Sequence, residues 1–521
     1  MNFLSSGQMR TWDQCSIARG IPGLTLMNRA GAAVAGVVAR VAGLRGERCV
    51  RLLAGSGNNG GDAFVAARCL HADGFRTGVR MTCAPEALRG DARAAWDRMR
   101  EAGVPFRVLA DAAAWQADEA DDPLRGGVLV DGLLGTGSAG APRGTVAEAI
   151  RWMQRAGRQC LVVAIDLPSG LNADTGESFD PAVRADITVS LGAPKIGFAS
   201  PRAWEFLGHL EVVDIGLPVD LCPAAGATPL QFIGAPDVAG ILPPRARSSH
   251  KGDYGHVLVI GGSRGLSGAP ALAALGAVRS GAGLVSAAVP ENCLAALASL
   301  APSVMAHQIA GEAGVLTPAA LAAGIRPPKE FTVVLAGPGM SANTATAQIV
   351  ESLLQDPPPR GLVLDADALN VLAGRVELVR RAPAVILTPH PGEAARLLGA
   401  TVADVQADRL CAARLLAERS GAIVVLKGAG TLVATPSGEV HLNLTGNPGM
   451  ATGGTGDVLA GMIAGLWAQG VSPLDAARLG VYLHGVAGDL AAWQGSEASL
   501  AAGDLGCFVG PAFRWLERLA G

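Results

Sequence analysis

Short runs of apolar, mostly β-branched residues recur along the chain, each closed by Gly, Pro or Asp. They fall at 49–53, 127–130, 160–165, 256–260, 284–289, 331–335, 361–364, 384–387 and 422–426. Between them lie longer Ala/Leu/Arg stretches with helical spacing, such as 91–102 and 145–157. A strand that is apolar at every position must be covered on both faces. The alternation with amphipathic helices therefore predicts buried parallel sheets in an α/β architecture. The rhythm fails between 216 and 244, where Pro218, Pro223, Pro229, Pro236, Pro243 and Pro244 stand with little periodicity. This predicts two domains, 1–218 and 244–521, joined by a linker at 219–243.

Composition narrows the class. Half the residues are hydrophobic and only 17% charged, which rules out disorder for most of the 521 residues. Against 45 Asp and Glu stand 42 Lys and Arg, a balance that excludes a mainly electrostatic nucleic-acid binder. The nine cysteines form no CxxC pair and are odd in number, so reduced thiols and a cytoplasmic location are expected, without a zinc site. The first residues lack the basic and apolar regions of a secretory signal, and the Ala-rich stretch 30–42 is broken by Gly and Arg. No membrane association is expected.

Chemistry concentrates where the predicted strands end. After 49–53 comes Ala54-Gly55-Ser56-Gly57-Asn58-Asn59-Gly60-Gly61-Asp62, with a helix predicted from 63 to 72. A glycine-rich turn between strand and helix aims backbone N–H groups at an anion. Its GxGxxG spacing alone is weak, because the next strand, 77–83, ends without the acid that a dinucleotide dehydrogenase needs. A second strand end reads Asp131-Gly132-Leu133-Leu134-Gly135-Thr136-Gly137-Ser138-Ala139-Gly140, and a third Asp166-Leu167-Pro168-Ser169-Gly170. In an open parallel sheet such ends face one crevice, where Asn59, Asp62, Asp131, Asp166 and Ser169 can converge. Their oxygen donors suit an alkali or alkaline-earth cation. Singly, each Asp reads equally well as a helix or turn cap.

The second half carries Gly261-Gly262-Ser263-Arg264-Gly265, Gly337-Pro338-Gly339, Asp365-Ala366-Asp367, Thr388-Pro389-His390-Pro391-Gly392-Glu393 and Lys427-Gly428-Ala429-Gly430-Thr431. Last comes Asn447-Pro448-Gly449-Met450-Ala451-Thr452-Gly453-Gly454-Thr455-Gly456-Asp457, opening a helix over 458–468. No GxxxxGK[ST] run occurs, which excludes a Walker-type NTPase. Consecutive glycines at a helix start make an anion hole, and Asp457 beside it is placed to act as a general base toward a hydroxyl attacking a phosphate. Asp457 also reads as a plain N-terminal helix charge, and His390 as a hydrogen-bonded loop residue.

These motifs together resemble a known pair. Residues 1 to about 218 are similar to the YjeF N-terminal family, the NAD(P)H-hydrate epimerases. The similarity rests on Met9-Arg10 with Asp13, Gly20-Ile21-Pro22, 26–31, GSGNNGGD, DGLLGTG and 165–170, with Asn28 standing where that pattern has Glu. From about 230 onward the chain is similar to the YjeF C-terminal family, the ADP/ATP-dependent NAD(P)H-hydrate dehydratases. Here the match rests on His250-Lys251-Gly252, Tyr254-Gly255-His256, TPHPGE, KGAGT and NPGMATGGTGD. The resemblance implies a Rossmann-like three-layer α/β/α domain followed by a ribokinase-like α/β domain, in a homo-oligomer.

By the same resemblance, Asn58, Asn59, Gly60, Gly61 and Asp62 bind the hydrated nucleotide, together with Gly135, Thr136, Gly137, Ser138, Ala139, Gly140, Ala141 and Asp166. Asn59, Asp131 and Ser169 correspond to potassium ligands. In the second domain Ala269, Gly339, His390 and Asp457 correspond to hydrate contacts. Lys427, Gly428, Ala429, Gly430, Thr431 and Gly456 correspond to contacts with ADP or ATP, bound with Mg2+. Asp166 and Asp457 are the expected catalytic pair. Two rivals share parts of the pattern. A ribokinase-type small-molecule kinase shares GTGD but leaves the first domain unexplained. A non-catalytic nucleotide sensor would be expected to have lost Asn59 or Asp166, and both are present.

Overall fold

Strand Cys49–Ala54 (β1) lies inside the first sheet, with every residue after Cys49 buried. The others are Arg76–Met81 (β2), Phe106–Val108 (β3), Val128–Gly132 (β4), Leu161–Ile165 (β5), Ile187–Leu191 (β6) and His209–Val213 (β7). Their order is β3-β2-β1-β4-β5-β6-β7, and every pairing is parallel. The computed structural model describes residues 1–121, 126–138, 140–223, 230–310 and 314–520. It divides into two units, Met1–Thr228 and Pro229–Gly521.

Alternate residues of β4 face opposite helical layers, as a two-residue side-chain period requires. Leu129 joins a core with Ile150 and Met153 of helix Gly144–Ala156 and with Trp115 and Trp152. Gly132, of the other parity, faces Ala63 of helix Asn58–Ala72. Helix Asn58–Ala72 in turn packs against helices Gly23–Leu44 and Gly90–Glu101. This is the expected three-layer arrangement.

The second unit repeats the theme. Its strands are Leu230–Phe232 (β8), His256–Ile260 (β9), Leu284–Pro290 (β10), Met305–Ile309 (β11), Val333–Ala336 (β12), Gly361–Leu364 (β13), Val385–Leu387 (β14), Ile423–Leu426 (β15), Thr431–Ala434 (β16) and Val440–Asn443 (β17). They form one sheet ordered β11-β10-β9-β12-β13-β14-β15-β16-β17-β8. From β11 to β15 all pairs are parallel; β16 and β17 add an antiparallel hairpin. Helix Thr455–Ala468 is buried from Val458 to its end and packs against helix Gly268–Arg279.

Two expectations need correction. The first helix after β1 begins at Asn58, not at 63, so Asn58 to Asp62 form its opening turns rather than a preceding loop. Among its described residues the expected linker 219–243 contains a strand and two short helical turns. Trp12 Nε1 donates to the Pro218 carbonyl at 2.9 Å and Arg19 pairs with Asp220, which ties this stretch to the first unit. At the other end β8 pairs in parallel with β17, with Phe232 and Ile233 buried. Proline density disguised a strand of three residues, too short to show a period. Among the described residues no helix is long and apolar enough to cross a membrane.

Candidate active sites

In both sheets the chain reverses direction of travel, between β1 and β4 in the first and between β9 and β12 in the second. Such switch points open a crevice at the strands' carboxyl ends. At the first, backbones approach so closely that a Cβ at Gly55 would collide with the Leu133 carbonyl, and one at Gly60 with the Gly55 carbonyl. Only glycine permits this contact.

Asn59 is buried and spans the crevice, its Nδ2 donating to the carbonyls of Leu134 (2.8 Å) and Ile165 (3.1 Å). Asp131 is fully buried at the end of β4. Its carboxylate accepts from Ser169 Oγ (2.7 Å), Ser169 N (2.7 Å) and Leu133 N (3.1 Å), and Ser169 Oγ accepts from Leu134 N (2.9 Å). Those partners are neutral. Burial therefore pushes the Asp131 carboxyl up to about 6, against the lowering effect of the Ser169 and Leu133 hydrogen bonds. Gly135 lies against Asn59, while Gly137, Ser138, Gly140 and Ala141 are exposed and Thr136 half-buried. Asn58 is exposed, Gly60 and Gly61 are buried, and Ala139 lies outside the described residues.

Asp166 follows β5 in the left-handed region, at φ 66°, a conformation that costs a non-glycine residue about 1–3 kcal/mol. Its carboxylate accepts from Leu191 N (3.2 Å) and is ion-paired with Lys195, a side chain with no exposed surface. Asp62 and Asp13 complete this group. Burial, then the charges of Asp166 and Asp13, hold the Asp62 carboxyl well above its ordinary value. Burial and Asp166 raise Asp13 to about 6, with Lys195 opposing. Asp13 entered the sequence reading only inside a motif, and Lys195 not at all. The strand before it, β6, alternates Thr and Ser with apolar residues and lacks the continuous apolar signal.

At the second switch point Gly339 packs against Leu266 and Ala269, so the loops after β9 and β12 meet. Lys427, at the end of β15, donates to Asp365 Oδ1 at 2.7 Å, and Asp365 at the end of β13 is buried. A Cβ on Gly456 would lie 3.1 Å from Lys427 Nζ, which places the start of helix Thr455–Ala468 against the same ammonium. Asp457, third residue of that helix, is pushed up to about 7 by burial, then by Asp365, Glu393 and Asp367 against the opposing Lys427. Burial pulls Lys427 down, but Asp365, Glu393 and Asp457 together leave it above its ordinary value.

His390 caps helix Pro391–Leu398: its Nδ1 accepts from Gly392 N (3.0 Å), and its backbone N donates to Glu393 Oε2 (2.8 Å). Burial, then Lys427 and Arg396, lower its basicity. Gly428 and Ala429 are exposed, with Gly430 and Thr431 half-buried. Arg409, not singled out from the sequence, pins this hairpin through Nη2 bonds to the carbonyls of Leu426 (3.3 Å), Lys427 (3.2 Å) and Gly430 (3.3 Å). Asp489 holds the other loop, accepting from Gly446 N (2.9 Å) and Asn447 Nδ2 (3.1 Å). His484 Nε2 donates to the Thr455 carbonyl (3.0 Å). Among the described residues no cluster of His, Cys, Asp and Glu forms a metal cage.

Residues 257–509 match the family model described as NAD(P)H-hydrate dehydratase, and residues 23–197 the one described as YjeF-related protein N-terminus. Over 505 residues the chain is 43% identical to the bifunctional NAD(P)H-hydrate repair enzyme Nnr of Moorella thermoacetica, covering 95% of this chain and 93% of that one. This chain belongs to the bifunctional NAD(P)H-hydrate repair enzymes. The repair enzyme of Coxiella burnetii is 38% identical over 500 residues, 96% of each chain. That of Escherichia coli is 37% identical over 451 residues, 86% of this chain and 82% of that one. Among solved structures, the ADP/ATP-dependent NAD(P)H-hydrate dehydratase of Bacillus subtilis, co-crystallised with ATP and Mg2+, aligns with a TM-score of 0.48 and 33% identity, over 55% of this chain and 99% of that one. As a bifunctional repair enzyme the chain is read from both halves at once, which neither the kinase nor the sensor alternative accommodates.

Proposed function

We propose that the first crevice interconverts the R and S hydrates of NADH and NADPH, and that the second removes water from the S hydrate at the expense of ADP or ATP. The observation that carries this division is the Asp457 carboxyl, half-buried at a glycine-rich helix start beside Lys427. Hydroxide is a poor leaving group. Transfer of a phosphoryl group to the 6-hydroxyl converts it to phosphate, which the ring nitrogen's electrons can then expel. In this reading Asp457 takes the hydroxyl proton, while Lys427, Gly428, Ala429, Gly430, Thr431 and Gly456 hold the adenine nucleotide. Magnesium arrives with the nucleotide and supplies positive charge to the transferring group. Ala269, Gly339 and His390 hold the hydrate. ADP is the proposed donor, by resemblance to bacterial members.

In the first domain Asn58 to Asp62, Gly135 to Ala141 and Asp166 hold the hydrate in this reading, with Asp166 in the chemistry. The oxygen donors of Asn59, Asp131 and Ser169 fit a potassium ion. Asp131 is a buried carboxyl whose hydrogen-bond partners are neutral, and a monovalent cation would supply the charge that keeps it ionised. The proposal includes a homo-oligomer working in the cytoplasm, the location being in keeping with nine free cysteines.

Two variants test the division. Asp457→Asn should lower dehydration about 10²–10⁴-fold and spare epimerisation, and Asp166→Ala should do the reverse. Chiral separation of the epimers and recovery of nicotinamide absorbance read the two reactions. Normal dehydration by Asp457→Asn would overturn the base assignment. For the cation, crystals soaked in thallium without potassium should show anomalous density beside Asp131; its absence would remove the assignment.

A further inference from the structure

In the crevice just described Lys195 is ion-paired with Asp166, and Asp13 and Asp62 both lie close enough to Asp166 to feel its charge. Besides Asp166, the Lys195 ammonium donates to Ser190 Oγ (3.0 Å), the Ala193 carbonyl (3.0 Å) and the Leu191 carbonyl (3.2 Å). With its hydrogens taken by protein groups, it is held against Asp166 and is not itself a donor to a ligand. Its loop is zipped to the N-terminal segment, Leu4 N donating to the Pro194 carbonyl and Ile196 N to the Leu4 carbonyl, both at 2.9 Å. The same segment leads into helix Ser6–Ala18, which carries Asp13. One ammonium stands against three neighbouring carboxylates, an arrangement that favours retention of a proton within the group. The deepest of the unpaired two is Asp62, on the helix turn that lines the crevice.

We propose that Lys195 is a positioning residue that fixes the charge and orientation of Asp166, and that Asp62 is the matching proton donor for epimerisation. This rests on the reading of the first crevice as the epimerase site. In the hydrate one carbon carries both the hydroxyl and the ring nitrogen. Asp166 takes the hydroxyl proton, and the O–H electron pair becomes the second bond of an aldehyde. The carbon–nitrogen bond breaks, and its electrons take the proton of Asp62. Rotation about the neighbouring carbon–carbon bond presents the other aldehyde face. The nitrogen then attacks that face, returning its proton to Asp62 while Asp166 gives its own to the oxygen. Both carboxyls end as they began. Expulsion of hydroxide instead would leave a cation beside carboxylates able to take the adjacent proton. That would give reduced nicotinamide directly and leave the phosphoryl-dependent second site without purpose.

The test uses the full chain, a single pure epimer and no nucleotide. Asp62→Asn keeps the side chain's shape and removes the proton; kcat for interconversion should fall about 10²–10⁴-fold with KM within about threefold. Lys195→Met should lower kcat with KM within about threefold, since Asp166 loses the ammonium that holds it in place. Lys195→Arg should recover most of the rate. Wild-type kcat in Asp62→Asn overturns the donor assignment. Wild-type kcat in Lys195→Met, with substrate still bound, overturns the positioning role, as does a failure of Lys195→Arg to recover more of the rate than Lys195→Met. Should Lys195→Met fail to fold, Lys195→Arg decides: a loss as deep as that of Asp166→Ala, with KM unchanged, also overturns it. Interconversion surviving in Asp166→Ala would instead sink the reading of the crevice as the epimerase.

Discussion

Asp457 is held near neutrality by opposed influences, and the balance can be moved one residue at a time. Burial and the acids Asp365, Glu393 and Asp367 raise it to about 7, and Lys427 opposes them. In the proposed role of base it works only when ionised, so dehydration at saturating S hydrate and nucleotide should fall as pH drops through about 7. Asp365→Asn removes the strongest of the raising charges and frees Lys427 from its partner, and both changes lower the Asp457 pKa. The acid limb should therefore move to lower pH, and an upward or absent shift would show that Asp365 does not set it. Asp457 was legible from the sequence because GTGD carries its own context. Asp365 and Lys427 are 62 residues apart, and Lys195 and Asp166 meet only through a turn and the N-terminal zipper. Such pairings arise from strand order and leave no local periodicity.

The elements that read most clearly were the buried parallel strands, because apolar residues on both faces leave a continuous signal. The ones that escaped carry mixed patterns: β3 is exposed at all three positions, and β16 and β17 form a hairpin with polar residues among the apolar. The helix start at Asn58 escaped because Asn and Gly are poor helix formers, recruited here for a turn that faces the crevice. The β15–β16 hairpin shows an element held by a residue outside it. Arg409 ties three of its carbonyls, and Gly428 within it has a φ of 129°. Arg409→Ala should loosen the KGAGT turn and raise the nucleotide KM about tenfold, from the loss of hydrogen bonds worth about 0.5–1.5 kcal/mol each. The KM for the S hydrate should barely change. Titration of ADP in steady-state dehydration would check both, and an equal rise in the two constants would contradict the assignment.

At the scale of the molecule, both units place their chemistry by the same device, a strand flanked by the next in sequence and by the third after it: β1 between β2 and β4, β9 between β10 and β12. That much followed from strands alternating with helices. The boundary did not, because prolines mark a linker and an edge strand alike. A fragment of residues 244–521 lacks β8 and strips the partner from β17, a strand buried at every position. An uncovered edge invites pairing with another chain. The fragment should self-associate in light scattering, whereas one starting at 229 should not; equal behaviour of the two would show that β8 is dispensable. Trp12 and Arg19 secure the chain as far as Asp220, and β8 claims it again from Leu230. An ancestral gene could therefore have been split into separate enzymes, or joined from them, only within the few codons between those two anchors.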